Sequence, residues 1–132
     1  MALQFEHETF KVIGAFLNVH KALGNGFLES VYQEALEKEL TKLQIPFVRH
    51  KKLEILFDGS PLDKFFVADF VCYNLIILEI KATSFLQQRD SDQVINYLKA
   101  TGLEVGLLLN FGESSLNWKR FINTQHKSVE SV

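Results

Sequence analysis

Charges stand where a buried strand should be purely apolar. The run Leu75-Ile76-Ile77-Leu78-Glu79-Ile80-Lys81 has the composition of a covered β-strand, yet Glu79 and Lys81 interrupt it. Side chains alternate along a strand, so these two charges share one face. Asp69 breaks the run Phe65-Phe66-Val67-Ala68-Asp69-Phe70-Val71 in the same way, ten residues upstream. Charged groups are seldom buried without a partner. Any fold for this chain must therefore account for three charges on two neighbouring, otherwise apolar strands.

The pattern around these strands sets an element order. Glu6 to Leu23 has helical period, with Val12, Ile13, Phe16, Val19, His20 and Leu23 on one stripe, and Gly24-Asn25-Gly26 stops it. A second helix is expected over Leu28 to Leu43, with Leu28, Tyr32, Leu36, Leu40 and Leu43 facing inward and Pro46 closing it. Strands follow at Phe47 to Phe57, ending at the turn signal Asp58-Gly59, then at Phe65 to Cys72 and Leu75 to Lys81. Gln88 to Thr101 returns to helical period through Val94, Ile95, Tyr97 and Leu98, and Gly102 ends it. Val105 to Leu109 reads as a buried strand and Trp118 to Ile122 as a short final one, before a polar tail from Thr124 expected to fray. A helix between the third and fourth strands implies a right-handed crossover and a mixed sheet. The class expected is α/β, with helices on both sides of the sheet and an N-terminal helical hairpin.

A chain of 132 residues suits one domain, 1–132, and is long enough to bury about two-thirds of its unfolded surface. The single cysteine, Cys72, excludes an intramolecular disulfide and suits a reducing cytoplasm. The start, MALQFEHETF, has no basic-then-apolar leader pattern, and no apolar run is long enough to span a bilayer. The net charge of −2 argues against nucleic-acid binding by bulk electrostatics. The best local basic patch is Arg49-His50-Lys51-Lys52, with Lys99, Lys119 and Arg120 as additions, although such a run also fits a solvated strand face.

The chemistry that suits Asp69 and Glu79 is a hard-cation site. Two close carboxylates repel, and one takes up a proton unless a cation lies between them. Magnesium or manganese fits an all-oxygen site, and Lys81 would orient a water or stabilise developing negative charge. The alternative is a structural ion pair at the sheet edge. Register decides between them. A two-residue loop at Tyr73-Asn74 pairs Cys72 with Leu75 and sets Asp69 opposite Leu78, on the wrong face. A shared site requires a three-residue loop, another odd offset, or a bulge near Asp69.

Glu29 lies in the first turn of the second helix, where the helix dipole favours a carboxylate. It also shares a face with Tyr32 and Leu36, and so points toward the body of the protein. Tyr32 alone reads as a core aromatic. Gln93 and Tyr97 are four apart on the third helix and face the same way.

Taken together, Gly26, Glu29 and Tyr32 resemble the signature of the GxxExxY protein family. Asp69 with Glu79-Ile80-Lys81 resembles the PD-(D/E)xK motif of the nuclease superfamily to which that family is assigned. Gln93 and Tyr97 resemble its QxxxY element. The similarity runs from about Ile13 to Asn123, with Ala68 in place of the motif's nominal proline. The resemblance implies a restriction-endonuclease-like α-β-β-β-α-β core and a metal-dependent nuclease of repair or defence type acting on DNA. It makes Asp69, Glu79, Lys81 and Glu29 the catalytic set, and Asp69, Glu79 and Ile80 the ligands of Mg2+ or Mn2+. Gln93, Tyr97 and Tyr32 become substrate-positioning residues. Two other classes stay open. One is a catalytically silent binding module on the same fold. The other is a subunit that forms a homodimer through Phe65, Phe66 and Phe85.

Overall fold

The computed structural model describes residues 5–123. The element order is α1 (Glu6–Leu23), α2 (Glu29–Lys42), β1 (Phe47–Phe57), β2 (Ser60–Cys72), β3 (Ile76–Lys81), α3 (Gln88–Thr101), β4 (Val105–Asn110) and β5 (Asn117–Ile122). The five strands form one sheet in the order β1-β2-β3-β4-β5. β3 and β4 are parallel, joined by the α3 crossover, and the other pairings are antiparallel. This is the expected α/β core with a mixed sheet and an N-terminal helical hairpin. The tail expected to fray lies outside the described residues.

The sheet is covered on both faces. One cluster packs Val12, Phe16 and Val19 of α1 and Tyr32, Leu36 and Leu40 of α2 on Phe70, Ile76, Leu78, Ile80, Leu107 and Leu109. The other packs Val94, Tyr97 and Leu98 of α3 on Leu53, Ala68, Val71, Ile77 and Leu108. β3 and β4 carry apolar side chains toward both layers, which is why they read as continuous apolar runs.

Three expected positions change. Leu28 is not an inward residue: it caps α2 with extended backbone and is 74% exposed. Ile95 lies on the solvent side of α3, because the apolar stripe there is carried by Val94, Tyr97 and Leu98. Phe66 is not a surface aromatic: its ring packs at 4.9 Å from Tyr97, whereas Phe65 and Phe85 are exposed. β2 also starts earlier than Phe65, because Asp58 and Gly59 both take positive φ in a two-residue turn that pairs Phe57 with Ser60.

The β2–β3 connection meets the register condition. Cys72 pairs with Ile76, leaving the three residues Tyr73, Asn74 and Leu75 between them. Leu75 N–H donates to Cys72 O as in a two-residue hairpin, but strand pairing resumes one residue later. The Phe70–Leu78 rung that follows carries Asp69 to the position opposite Glu79.

Side-chain alternation reverses at that level. On β2, Ala68 packs with the α3-side cluster but Phe70 with the α1–α2 side. On β1, Leu53 packs on the α3 side and Phe47 on the other. Residues an even number apart share a face on a regular strand. The change of phase falls at the rung of His50 and Asp69, where His50 takes φ 53. A non-glycine residue there costs on the order of 1 kcal/mol or more, so tertiary contacts must hold it.

The exit of β3 is fastened by Asn110. Its fully buried amide accepts from Thr83 N and Gly112 N and donates to Thr83 O and Glu113 Oε2. Gly112 lies so close that an added Cβ would sit 2.2 Å from Thr83 O and 2.3 Å from Thr83 N. Backbone cannot yield as a flexible side chain does. Gly112→Ala is expected to lower the urea-unfolding free energy by about 2 kcal/mol or more. Gly14→Ala, in α1 with nothing near the added carbon, should be neutral or raise it slightly.

Candidate functional site

β2 and β3 part company at Asp69 and Glu79, and the two side chains close the fork. Strand pairing stops at Phe70–Leu78. Beyond it, Asp69 N–H donates to Glu79 Oε1 at 3.0 Å, and Ile80 N–H donates to Asp69 Oδ2 at 2.8 Å. Each carboxylate thus satisfies a backbone donor near the other, where the ladder no longer does. Glu79 is only 3% exposed and Asp69 is half-buried.

Lys81 stands two residues beyond Glu79, on the α3 face. Its Nζ donates to Gln93 Oε1 at 3.2 Å and lies 3.8 Å from Asp90 Oδ1. Gln93 and Asp90 share the first turns of α3, whose start is fixed by a reciprocal box between Gln87 and Asp90. Tyr97, one turn on, lies buried beside the acids. Burial, then Glu79 and Asp69, push its hydroxyl up to about 12 despite a hydrogen bond with Gln93.

Glu29 approaches from the other face. It begins α2, accepts a 3.2 Å hydrogen bond from Gln33 Nε2, and interacts electrostatically with both Asp69 and Lys81. Burial and Asp69 raise its carboxyl above the ordinary value. The opened fork lets groups of α2 and α3 reach one pair of carboxylates from opposite sides of the sheet.

Tyr32 is not among them. Its hydroxyl donates to Gly24 O at 2.5 Å and accepts from Phe27 N–H at 3.2 Å, and its ring stacks 4.5 Å from Phe111. That use fastens the α1–α2 turn and leaves no free hydroxyl hydrogen for a substrate. Ile80 buries its side chain in the α1–α2 layer, so only its backbone can offer a ligand. The basic run is partly engaged: Arg49 is paired with Glu37 at 2.9 Å, and Lys52 sits 4.6 Å over the Phe65 ring. Cys72 is buried, which pushes its thiol up to about 12 and removes it as a nucleophile. Asn110, Asp90 and Gln33 carry no motif in the sequence that marks them. The first shows only as a polar residue that ends the apolar run from Val105 to Leu109.

The chain matches the model of the PD-(D/E)XK nuclease superfamily over residues 6–121. It belongs to that superfamily. Asp69 and Glu79-Ile80-Lys81 have the form of the motif in the superfamily's name, with Ala68 in the proline position. The fold is similar to the crystal structure of SSO0001, with a TM-score of 0.57 and 16% identity. The match covers 97% of this chain and 66% of the SSO0001 chain, so this chain spans just under two-thirds of that protein. No curated protein matches the chain significantly. Among the described residues, no helix is long and apolar enough to cross a membrane.

The electrostatics of the pair yield a pH dependence. Burial and Asp69 push the Glu79 carboxyl up to about 8, from an ordinary 4.5. Burial also raises Asp69, and the proton belongs to the pair. Between those values the folded chain binds more protons than the unfolded one, so stability falls as pH rises. In the absence of divalent cations, the melting temperature should drop by several degrees from about pH 5 to about pH 8. Glu79→Gln should flatten that slope, and an unchanged slope in this variant would assign the dependence to other groups.

Proposed function

We propose that this chain is a divalent-metal-dependent nuclease that hydrolyses phosphodiester bonds of DNA, and that it is of the GxxExxY type. The observation that carries the reading is the closed fork: two carboxylates facing each other across β2 and β3, with an amine on the same strand. Superfamily membership supports it, because PD-(D/E)XK nucleases are generally dependent on divalent metal.

The residues fit such an ion. Burial, and for Glu79 the neighbouring Asp69, raise both carboxyls, so the pair holds a proton that a hard cation could replace. Among the described residues, no group of three or more His, Cys, Asp or Glu side chains is gathered to hold a metal. Asp69, Glu79 and the Ile80 carbonyl would then form the protein's share of the shell, with water and substrate oxygens as the rest. That open arrangement suits Mg2+ or Mn2+. When bound, the ion supplies Lewis-acid stabilisation of charge on the phosphate. Lys81, braced by Gln93 and Asp90, is held to donate to a phosphate oxygen or to orient the attacking water. Glu29 adds a third carboxylate at the rim. Tyr97, protonated at neutral pH, is available as a donor to substrate.

The test is cleavage of single- and double-stranded DNA with Mg2+ or Mn2+. The wild type should cleave, and Asp69→Ala and Lys81→Ala should each lose about a hundredfold or more. Equal activity in all three proteins would trace the cleavage to a contaminant or another site. No uptake of either ion at millimolar concentration in calorimetry would favour the silent binding module instead.

A further inference from the structure

Arg49 and His50 are consecutive on β1, yet both contact one side chain of α2. Arg49 Nη2 lies 3.5 Å and His50 Nε2 lies 3.2 Å from Gln33 Oε1. Neighbours on a regular strand point to opposite faces. The positive φ of His50 turns its ring to the side that Arg49 already faces. Gln33 is itself only 7% exposed. Its other end, Nε2, donates to Glu29 Oε2 at 3.2 Å. An amide has one accepting and one donating end, and here the accepting end meets β1 and the donating end meets a carboxylate. The reverse orientation would set a donor against a guanidinium and an acceptor against a carboxylate.

The chain of contacts leads to the acidic site from both ends. His50 occupies the rung of Asp69 in the β1–β2 register and interacts electrostatically with it. Glu29 interacts with Asp69 and Lys81. Glu29 is otherwise an exposed side chain with several open rotamers, and a single hydrogen bond from a buried partner selects among them. We propose that Gln33 is a positioning residue of this site, anchored on the His50 rung and holding the Glu29 carboxylate toward Asp69 and Lys81. The inference rests on the nuclease reading above.

Gln33→Glu separates the two ends of the amide. It keeps an acceptor for Arg49 and His50, and so the anchor of α2 to β1, but sets a carboxyl against Glu29 in place of the donor: ionised, it repels Glu29, and protonated, it restores a donor. Gln33→Met removes both. The measurements are kcat and KM for DNA cleavage, Mn2+ affinity by calorimetry, and melting temperature, for each variant, for Glu29→Gln and for the doubles. Gln33→Met should stay folded at the assay temperature while kcat falls about tenfold at unchanged KM, and Gln33→Glu should show the same loss at alkaline pH, where both carboxyls are ionised. Mn2+ binding should weaken roughly threefold, and in a Glu29→Gln background Gln33→Met should add no further loss in either readout. Wild-type kcat and Mn2+ affinity in a folded Gln33→Met, or losses that multiply in the doubles, would overturn the inference alone. If the wild type binds Mn2+ without cleaving, the Mn2+ affinities decide it in the same way. A wild type that neither cleaves nor binds Mn2+ removes the nuclease reading, and this inference with it.

Discussion

The structure turns on a pair of crossed hydrogen bonds between two acidic side chains and two backbone amides. Asp69 takes the N–H of Ile80, and Glu79 takes the N–H of Asp69. Where two strands diverge inside a sheet, their amides lose their ladder partners, and an unpaired buried amide costs on the order of 1–3 kcal/mol. Carboxylates are strong acceptors for that purpose. The same oxygens that close the fork are thereby held at a fixed spacing in a low-dielectric setting. There the pair holds a proton above the ordinary carboxylate range. Structural need and chemical capacity coincide in one pair.

The rest of the fold delivers groups to this pair. The three-residue β2–β3 loop sets the register that brings Asp69 opposite Glu79. The reversal of alternation at His50 and Asp69 opens the sheet so that α2 and α3 both reach the acids. α3 carries Gln93 and Asp90 to Lys81, and Tyr97 to Glu79. α2 carries Glu29 and its partner Gln33. Behind Lys81, Asn110 and Gly112 clamp the chain at Thr83, so the lysine departs from a fixed point. Tyr32 contributes one step further back, by fixing the turn that aims the start of α2.

Much of this was legible one element at a time. The boundaries of α1, α3 and β1 follow from period and from glycine stops, and the mixed sheet from the helix between the third and fourth strands. Where the structure departs from the local pattern, a competing neighbour is the cause. Leu28 fits a helical stripe by spacing, but as the residue that caps α2 it precedes the face it was assigned to. Ile95 is as apolar as Val94, and only the seating of α3 on the sheet decides which is covered. Phe66 and Phe65 are indistinguishable in sequence, and the pleat gives one to Tyr97 and leaves the other to solvent. Arg49 reads as an available cation until Glu37, twelve residues away, neutralises it.

The sequence by itself determined the α/β class, the order of elements and the shared face of Glu79 and Lys81. These depend on local period and on alternation, which a single segment carries. Only the tertiary structure decided that Asp69 joins them, that Glu29 arrives from the opposite face, and that Tyr32 does not. Those outcomes depend on one extra residue in a hairpin loop, one residue in left-handed backbone, and one hydroxyl already engaged. Each arises from contacts between elements distant in the chain, and no local pattern encodes them.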